Sequence, residues 1–94
     1  ILVEVYQDVT IRVAPVDEFE AAEMIEELKA APLLAGFRGG HRFDVDCLKQ
    51  TLVSVSRLLC EHPEIQVLEI NAFILQEEGK GGFAVDVKMQ INAA

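Results

Sequence analysis

The residues of this sequence best suited to chemistry are polar ones set into apolar, strand-like runs. Glu69 and Asn71 interrupt the run from Ile65 to Leu75, and Asp86 interrupts the run from Phe83 to Met89. Burying such groups without partners costs about 1–3 kcal/mol each, and more when they are charged. A partner or ligand is therefore expected to satisfy them. Between the runs lies Glu77-Glu78-Gly79-Lys80-Gly81-Gly82, a turn by composition. With Glu77 to Lys80 as its four loop residues, opposed positions sum to 157, so Phe73 faces Ala84, Asn71 faces Asp86 and Glu69 faces Lys88. An amide oxygen beside a carboxylate is what a Mg²⁺ site asks of the protein, with phosphate oxygens and water completing the octahedron. The same spacing fits a plain polar arrangement, in which the Asn71 amide donates to Asp86 and Glu69 is bridged to Lys88. The glycines would also let the register slip by one, which would separate Asn71 from Asp86.

The elements that must hold this hairpin follow from periodicity and caps. Residues 1–6 and 8–14 are rich in Val, Ile and Tyr and read as two strands or one bent strand, with Val9, Ile11 and Val13 on one side and Asp8, Thr10 and Arg12 on the other. Pro15 ends the second strand. Asp17, with Glu20 three residues on, opens a helix to about Ala30 whose apolar positions are Ala21, Ala22, Ile25 and Leu28. Pro32 closes it, and residues 32–43 form a loop rich in glycine and arginine. Asp44 caps a second helix to about Glu61, with Val45, Leu48, Leu52, Val55 and Leu59 as its buried stripe. Residues 65–75 read as an inner strand covered on two sides. The order β-β-α-α-β-β predicts an α+β fold, an antiparallel sheet with two helices packed on it.

Ninety-four residues make one domain, 1–94, near the lower end of what folds alone, and 51% hydrophobic residues supply one ordinary core. The chain opens on Ile1 with no methionine before Met24, which reads as a piece of a longer protein. No signal peptide or membrane-length apolar run is evident, so a cytoplasmic location without membrane association is the expectation. A net charge of −8 argues against nucleic acid as a partner, because such binding draws on Lys and Arg neutralising phosphates. Cys47 and Cys60 lie thirteen residues apart on one helix, roughly 20 Å along its axis, and are expected as reduced thiols. His41 is read as a surface residue and His62 as a C-terminal helix cap.

Four stretches together form a recognisable pattern. Val3-Glu4-Val5, Asp8-Val9, Arg12 and Ala14-Pro15 resemble V-E-V-x-x-D-V-x-x-R-x-A-P. Leu33-Leu34, Gly36, Arg38-Gly39 and Asp44 resemble L-L-x-G-x-R-G-x-x-x-x-D. Pro63-Glu64-Ile65 with Leu68-Glu69-Ile70-Asn71 is similar to P-E-I-x-x-L-D/E-I-N-P, and Val85-Asp86-Val87-Lys88 to a closing L-D-A-R/K strand. In that order and spacing, over nearly the whole chain, they resemble the C-terminal part of the ATP-grasp domain in NDP-forming acyl-CoA synthetases. That family includes the ADP-forming acetyl-CoA synthetases. Related bacterial proteins add an acetyltransferase domain, and succinyl-CoA synthetase β subunits are more distant.

The resemblance implies a fragment of a larger ATP-grasp domain, part of the Mg²⁺ and ATP/ADP site. The parent reaction would take acyl-CoA, ADP and phosphate to acid, CoA and ATP, through a phosphohistidine in another domain. Asn71 and Asp86 map onto the family's metal ligands. Glu69 would support them, Arg38 would be a phosphate ligand, and Glu4 would lie at the edge of the nucleotide cleft. The alternatives are an ion pair of Arg38 with surface carboxylates and a salt bridge of Glu4 to Arg12 or another cation. The remaining ATP-grasp lobe and the CoA-binding and ligase domains, which would bind CoA and acyl-CoA, are the implied partners. Self-association as a homo-oligomer could use surfaces the missing lobe would cover. No turnover is expected of the isolated chain. Ala72 departs from the family, standing where a proline follows the asparagine. The alternative is a non-catalytic regulatory or subunit-contact module with a decayed metal site.

Overall fold

The computed structural model describes residues 8–92. Its helices are α1 (Glu18–Glu27), α2 (Ala31–Leu34) and α3 (Val45–Glu61), with a 3₁₀ turn at Phe37–Gly39 between the last two. Four strands follow: β1 (Ile65–Ile70), β2 (Phe73–Leu75), β3 (Gly82–Ala84) and β4 (Val87–Ile91). The α+β class and the antiparallel pairing are as the sequence predicts.

Both long helices start where their caps require. The Asp17 carboxylate accepts the Glu20 N–H at 2.8 Å and the Asp44 carboxylate accepts the Cys47 N–H at 3.0 Å, satisfying amides that an N-terminal turn leaves without partners. Pro32 falls in the first turn of α2, where its missing N–H costs nothing. The expected loop at 32–43 thus contains a short helix and a 3₁₀ turn. α1 packs on α3. Val16, Ala21 and Val53 form the buried hydrophobic cluster there, with Met24 and Leu52 packed against it, and Ile25 of α1 is buried as well. The predicted stripe of Val45, Leu48, Leu52, Val55 and Leu59 is only half-buried. Val53, one step off it, is the residue that α1 covers. Beside it Ser56 is the buried polar residue: its hydroxyl accepts the Val16 N–H at 3.1 Å and donates to the Val53 carbonyl at 2.9 Å.

Residues 8–14 alternate in exposure as predicted, with Val9, Ile11 and Val13 outward at 72%, 78% and 89%. They join no ladder among the described residues. A strand requires backbone partners as well as alternation, and here polar side chains dock the segment instead. The Asp8 carboxylate accepts the N–H groups of Lys29 (2.6 Å) and Ala30 (2.9 Å) at the end of α1. Thr10 donates to Glu27 at 2.8 Å, and Arg12 pairs with the same carboxylate.

The long hairpin expected over 65–89 is present but interrupted halfway. β1 pairs with β4 and β2 with β3, and every opposed pair from Val67–Gln90 inward to Leu75–Gly82 sums to 157, with a bulge only at Ile65–Val67. Across the break the Asn71 N–H donates to the Asp86 carbonyl and the Val85 N–H to the Ala72 carbonyl, both at 2.9 Å. The Asn71–Ala72 and Ala14–Pro15 peptides are cis. Gly82 leaves room for the Phe73 ring, which would lie 2.7 Å from any Cβ built there. Far from being an inner strand, β1 and β2 leave Val67 and Ile74 exposed.

Candidate functional site

The ribbon formed by β1 to β4 carries the polar positions singled out in the sequence. Asn71 and Asp86 stand directly opposite, their backbones joined by the 2.9 Å bond from the Asn71 N–H, and both side chains are exposed. Two residues along, Glu69 opposes Lys88. Among the described residues no hydrogen bond or ion pair joins Asn71 to Asp86 through their side chains, or Glu69 to Lys88. The contacts of the plain polar arrangement are therefore not made. An amide oxygen and a carboxylate on backbones joined in this way, neither taking a hydrogen bond from the protein among the described residues, are a donor set that fits a hard divalent cation. No group of three or more His, Cys, Asp and Glu side chains placed to hold a metal occurs among the described residues, so such a cation would need oxygens from elsewhere.

Arg38 is carried by a separate element. It sits in the 3₁₀ turn with φ 55°, exposed, its guanidinium 5.1 Å from the Phe37 ring centroid. Gly36 before it has φ 91°, and a Cβ there would meet the Gly40 carbonyl at 3.0 Å, so the tight turn that presents Arg38 depends on glycine. Glu4 lies outside the described residues. The expected Glu4–Arg12 pairing has a competitor, because Arg12 is bound to Glu27. His41 is exposed. His62 is the C-terminal capping residue of α3 through its backbone, while its ring meets Glu64 at 3.2 Å. Cys47 and Cys60 are free thiols on α3.

One residue does more than the sequence indicated. Asp44 caps α3, and its other carboxylate oxygen accepts the N–H groups of Gly81 at 2.8 Å and Gly79 at 3.2 Å in the hairpin turn. Its pKa lies below the usual carboxylate value, first because of the Cys47 amide, then those of Gly81 and Gly79. Position after a loop marked it as a cap; nothing local in the chain could reveal a bond 35 residues away. Beside it a cleft of about 280 Å³ is lined by Arg42, Phe43, Asp44, Asp46 and Glu78, carboxylate-rich rather than shaped for an anion.

With this geometry in view, the comparisons are consistent. Residues 1–91 match the model of an ATP-grasp domain family, and the chain belongs to that family. It is 42% identical over 89 residues to the β subunit of an ADP-forming acetate–CoA ligase I of Pyrococcus furiosus, covering 95% of this chain and 38% of that protein. Its fold is similar to that of a Pyrococcus horikoshii protein, with a TM-score of 0.88 at 33% identity over 97% of this chain and 38% of the other. It also matches the dinucleotide-forming acetyl-CoA synthetase 1 of Candidatus Korarchaeum cryptofilum in complex with coenzyme A and Mg-AMPPCP, with a TM-score of 0.83 at 36% identity over 97% of this chain and 42% of that one. This chain therefore spans about two fifths of these relatives or less. No helix among the described residues is long and apolar enough to cross a membrane.

Proposed function

We propose that this chain is one part of a larger ATP-grasp domain in an ADP-forming acid–CoA ligase, and that Asn71 and Asp86 are its ligands for the nucleotide-bound Mg²⁺. The observation that carries the reading is the opposed pair itself, two oxygen donors in register with acceptors left free. The complex of a relative with Mg-AMPPCP supports it. Bound there, the metal would neutralise phosphate charge during phosphoryl transfer between the nucleotide and a histidine outside this chain. The hairpin's task is to hold the two oxygens at a fixed separation. Glu69, next on the ribbon, orders the waters around them. Arg38 offers a forked, exposed donor set to a phosphate, and Glu4 belongs at the edge of the nucleotide cleft.

The remaining ATP-grasp lobe is the partner this reading requires, together with the domains that bind CoA and acyl-CoA. Its support is the exposed apolar surface of the ribbon. Leu68 opposes Met89, Ile70 opposes Val87 and Ile74 opposes Phe83, and the β3–β4 members stay 47–56% exposed. No turnover is expected from the 94-residue chain by itself.

Asn71→Ala and Asp86→Ala in the complete protein test the assignment. Each is expected to lower kcat/KM for ATP formation from acyl-CoA at least about 100-fold, or about 2.7 kcal/mol, with the fold unchanged by circular dichroism. Titrating Mn²⁺ with ADP into labelled protein should broaden the amide signals around both residues first. Unchanged activity in both variants would instead favour the non-catalytic module, in which Ala72 in place of proline marks a decayed site.

A further inference from the structure

The turn of the hairpin is held from outside by one short segment, residues 42–44. The Asp44 N–H donates to the Gln76 carbonyl at 2.8 Å, and the Glu78 N–H donates to the Arg42 carbonyl at 2.9 Å. Phe43 and Glu77 form an isolated antiparallel bridge. The Asp44 carboxylate then accepts three amides, one from the first turn of α3 and two from glycines of the hairpin turn. Gly79 and Gly81 have φ of 85° and 74°, so the turn is built from residues whose own conformational preferences are weak.

Register in such a hairpin is poorly specified by the strands. A one-residue slip turns every side chain of one strand to the other face. A two-residue slip keeps most apolar residues against apolar residues: in one direction Leu68, Ile70 and Ile74 would meet Ile91, Met89 and Val85, and in the other Val87, Val85 and Gly81. That second slip brings Lys88 or Ala84 opposite Asn71 in place of Asp86. Phe73 over Gly82, a contact between the two strands, favours the observed alignment from within the hairpin. Among the described residues, the hydrogen bonds that tie the turn to the rest of the fold all come through residues 42–44.

We infer that Asp44 is a positioning residue: by gripping the amides of Gly79 and Gly81 against the start of α3, its carboxylate sets the hairpin register and keeps Asp86 opposite Asn71. The register claim stands on the hydrogen bonds alone. Its consequence for metal rests on the function proposed above.

Asp44→Asn separates the two tasks of this carboxylate. Asparagine keeps an oxygen for the Cys47 amide, and it is a good N-cap. It turns an NH₂ group toward the Gly79 and Gly81 donors. In the complete protein, register is read by disulfide trapping, because directly opposed Cβ atoms come within bonding reach and those two places apart do not. The reporter pair for the observed register is Val67→Cys with Gln90→Cys, and for the slipped register Val67→Cys with Lys88→Cys. With Asp44 intact only the first pair should close, as mass spectrometry of the digested protein would read. In Asp44→Asn the slipped pair should gain at least about fivefold in yield, and the Mn²⁺–ADP concentration giving half-maximal binding should rise about tenfold.

Closure of the first pair alone in Asp44→Asn would overturn the inference, whatever the activity. A slipped register with unchanged Mn²⁺–ADP binding would uphold Asp44 as the register lock and sink the metal assignment instead. Should Asp44→Asn fail to fold, Asp44→Ser serves in its place, keeping a capping oxygen but too short to reach the turn glycines.

Discussion

Single carboxylates at or near the surface hold distant parts of this structure together. Asp44 and Glu27 both titrate below the ordinary range, Asp44 through the backbone amides it accepts and Glu27 first through Arg12 and then Thr10. In each the folded pKa is depressed, so the stability these groups add is complete above the unfolded carboxylate pKa of about 4. It is lost as pH falls through the lower folded value. The thermal midpoint of the protein should accordingly decline below about pH 4, and Asp44→Asn should flatten part of that decline. A midpoint equally steep in pH with and without Asp44 would show that its hydrogen bonds do not favour the charged form. Asn71 and Asp86 are both exposed, and among the described residues their side chains make no hydrogen bond or ion pair with the protein.

Elements in this chain meet through a few specific bonds more than through a broad core. The α1–α3 contact buries small or branched residues, Ala21 and Val53, and one hydroxyl. Ser56 joins α3 to the chain entering α1 by accepting the Val16 N–H. Replacing it with alanine would leave that amide unpaired, at a cost of about 1–3 kcal/mol. Urea unfolding of Ser56→Ala should show that loss, whereas an unchanged midpoint would mean that water replaces the hydroxyl. The segment 8–14 shows the same economy: Asp8, Thr10 and Arg12 hold it on α1, while its apolar side faces outward.

At the scale of the whole molecule, surface exceeds what a self-sufficient domain would show. The accessible area is 7184 Å², against about 5400 Å² for a compact monomer of this mass. The radius of gyration is 14.5 Å, against about 12.4 Å for a compact chain of this length. Large apolar side chains stand exposed on the ribbon and along residues 9–13. Exposed patches of this kind mark interfaces. The isolated chain should therefore self-associate in sedimentation velocity runs, and Val87→Lys should shift it toward monomer. In the complete protein the same substitution should lower the thermal midpoint if the remaining lobe packs there, as the function proposed above requires. A monomeric isolated chain unaffected by Val87→Lys would contradict this.

What the sequence determined by itself is local and periodic. Asp17 and Asp44 cap the helices because their side chains reach amides only three residues on. Turn length predicts the hairpin register, and with it the opposition of Asn71 and Asp86 that the Asp44 contacts then hold. The family motifs were legible because they combine residue type with spacing. The tertiary structure decided the rest. It placed Val53 in the interface rather than the helix's apolar stripe, broke the long hairpin in two, and left residues 8–14 without a ladder. It also brought the Asp44 carboxylate to Gly79 and Gly81. Each of these outcomes depends on which distant surface arrives and which does not, and periodicity along a chain holds no record of the neighbour across the gap.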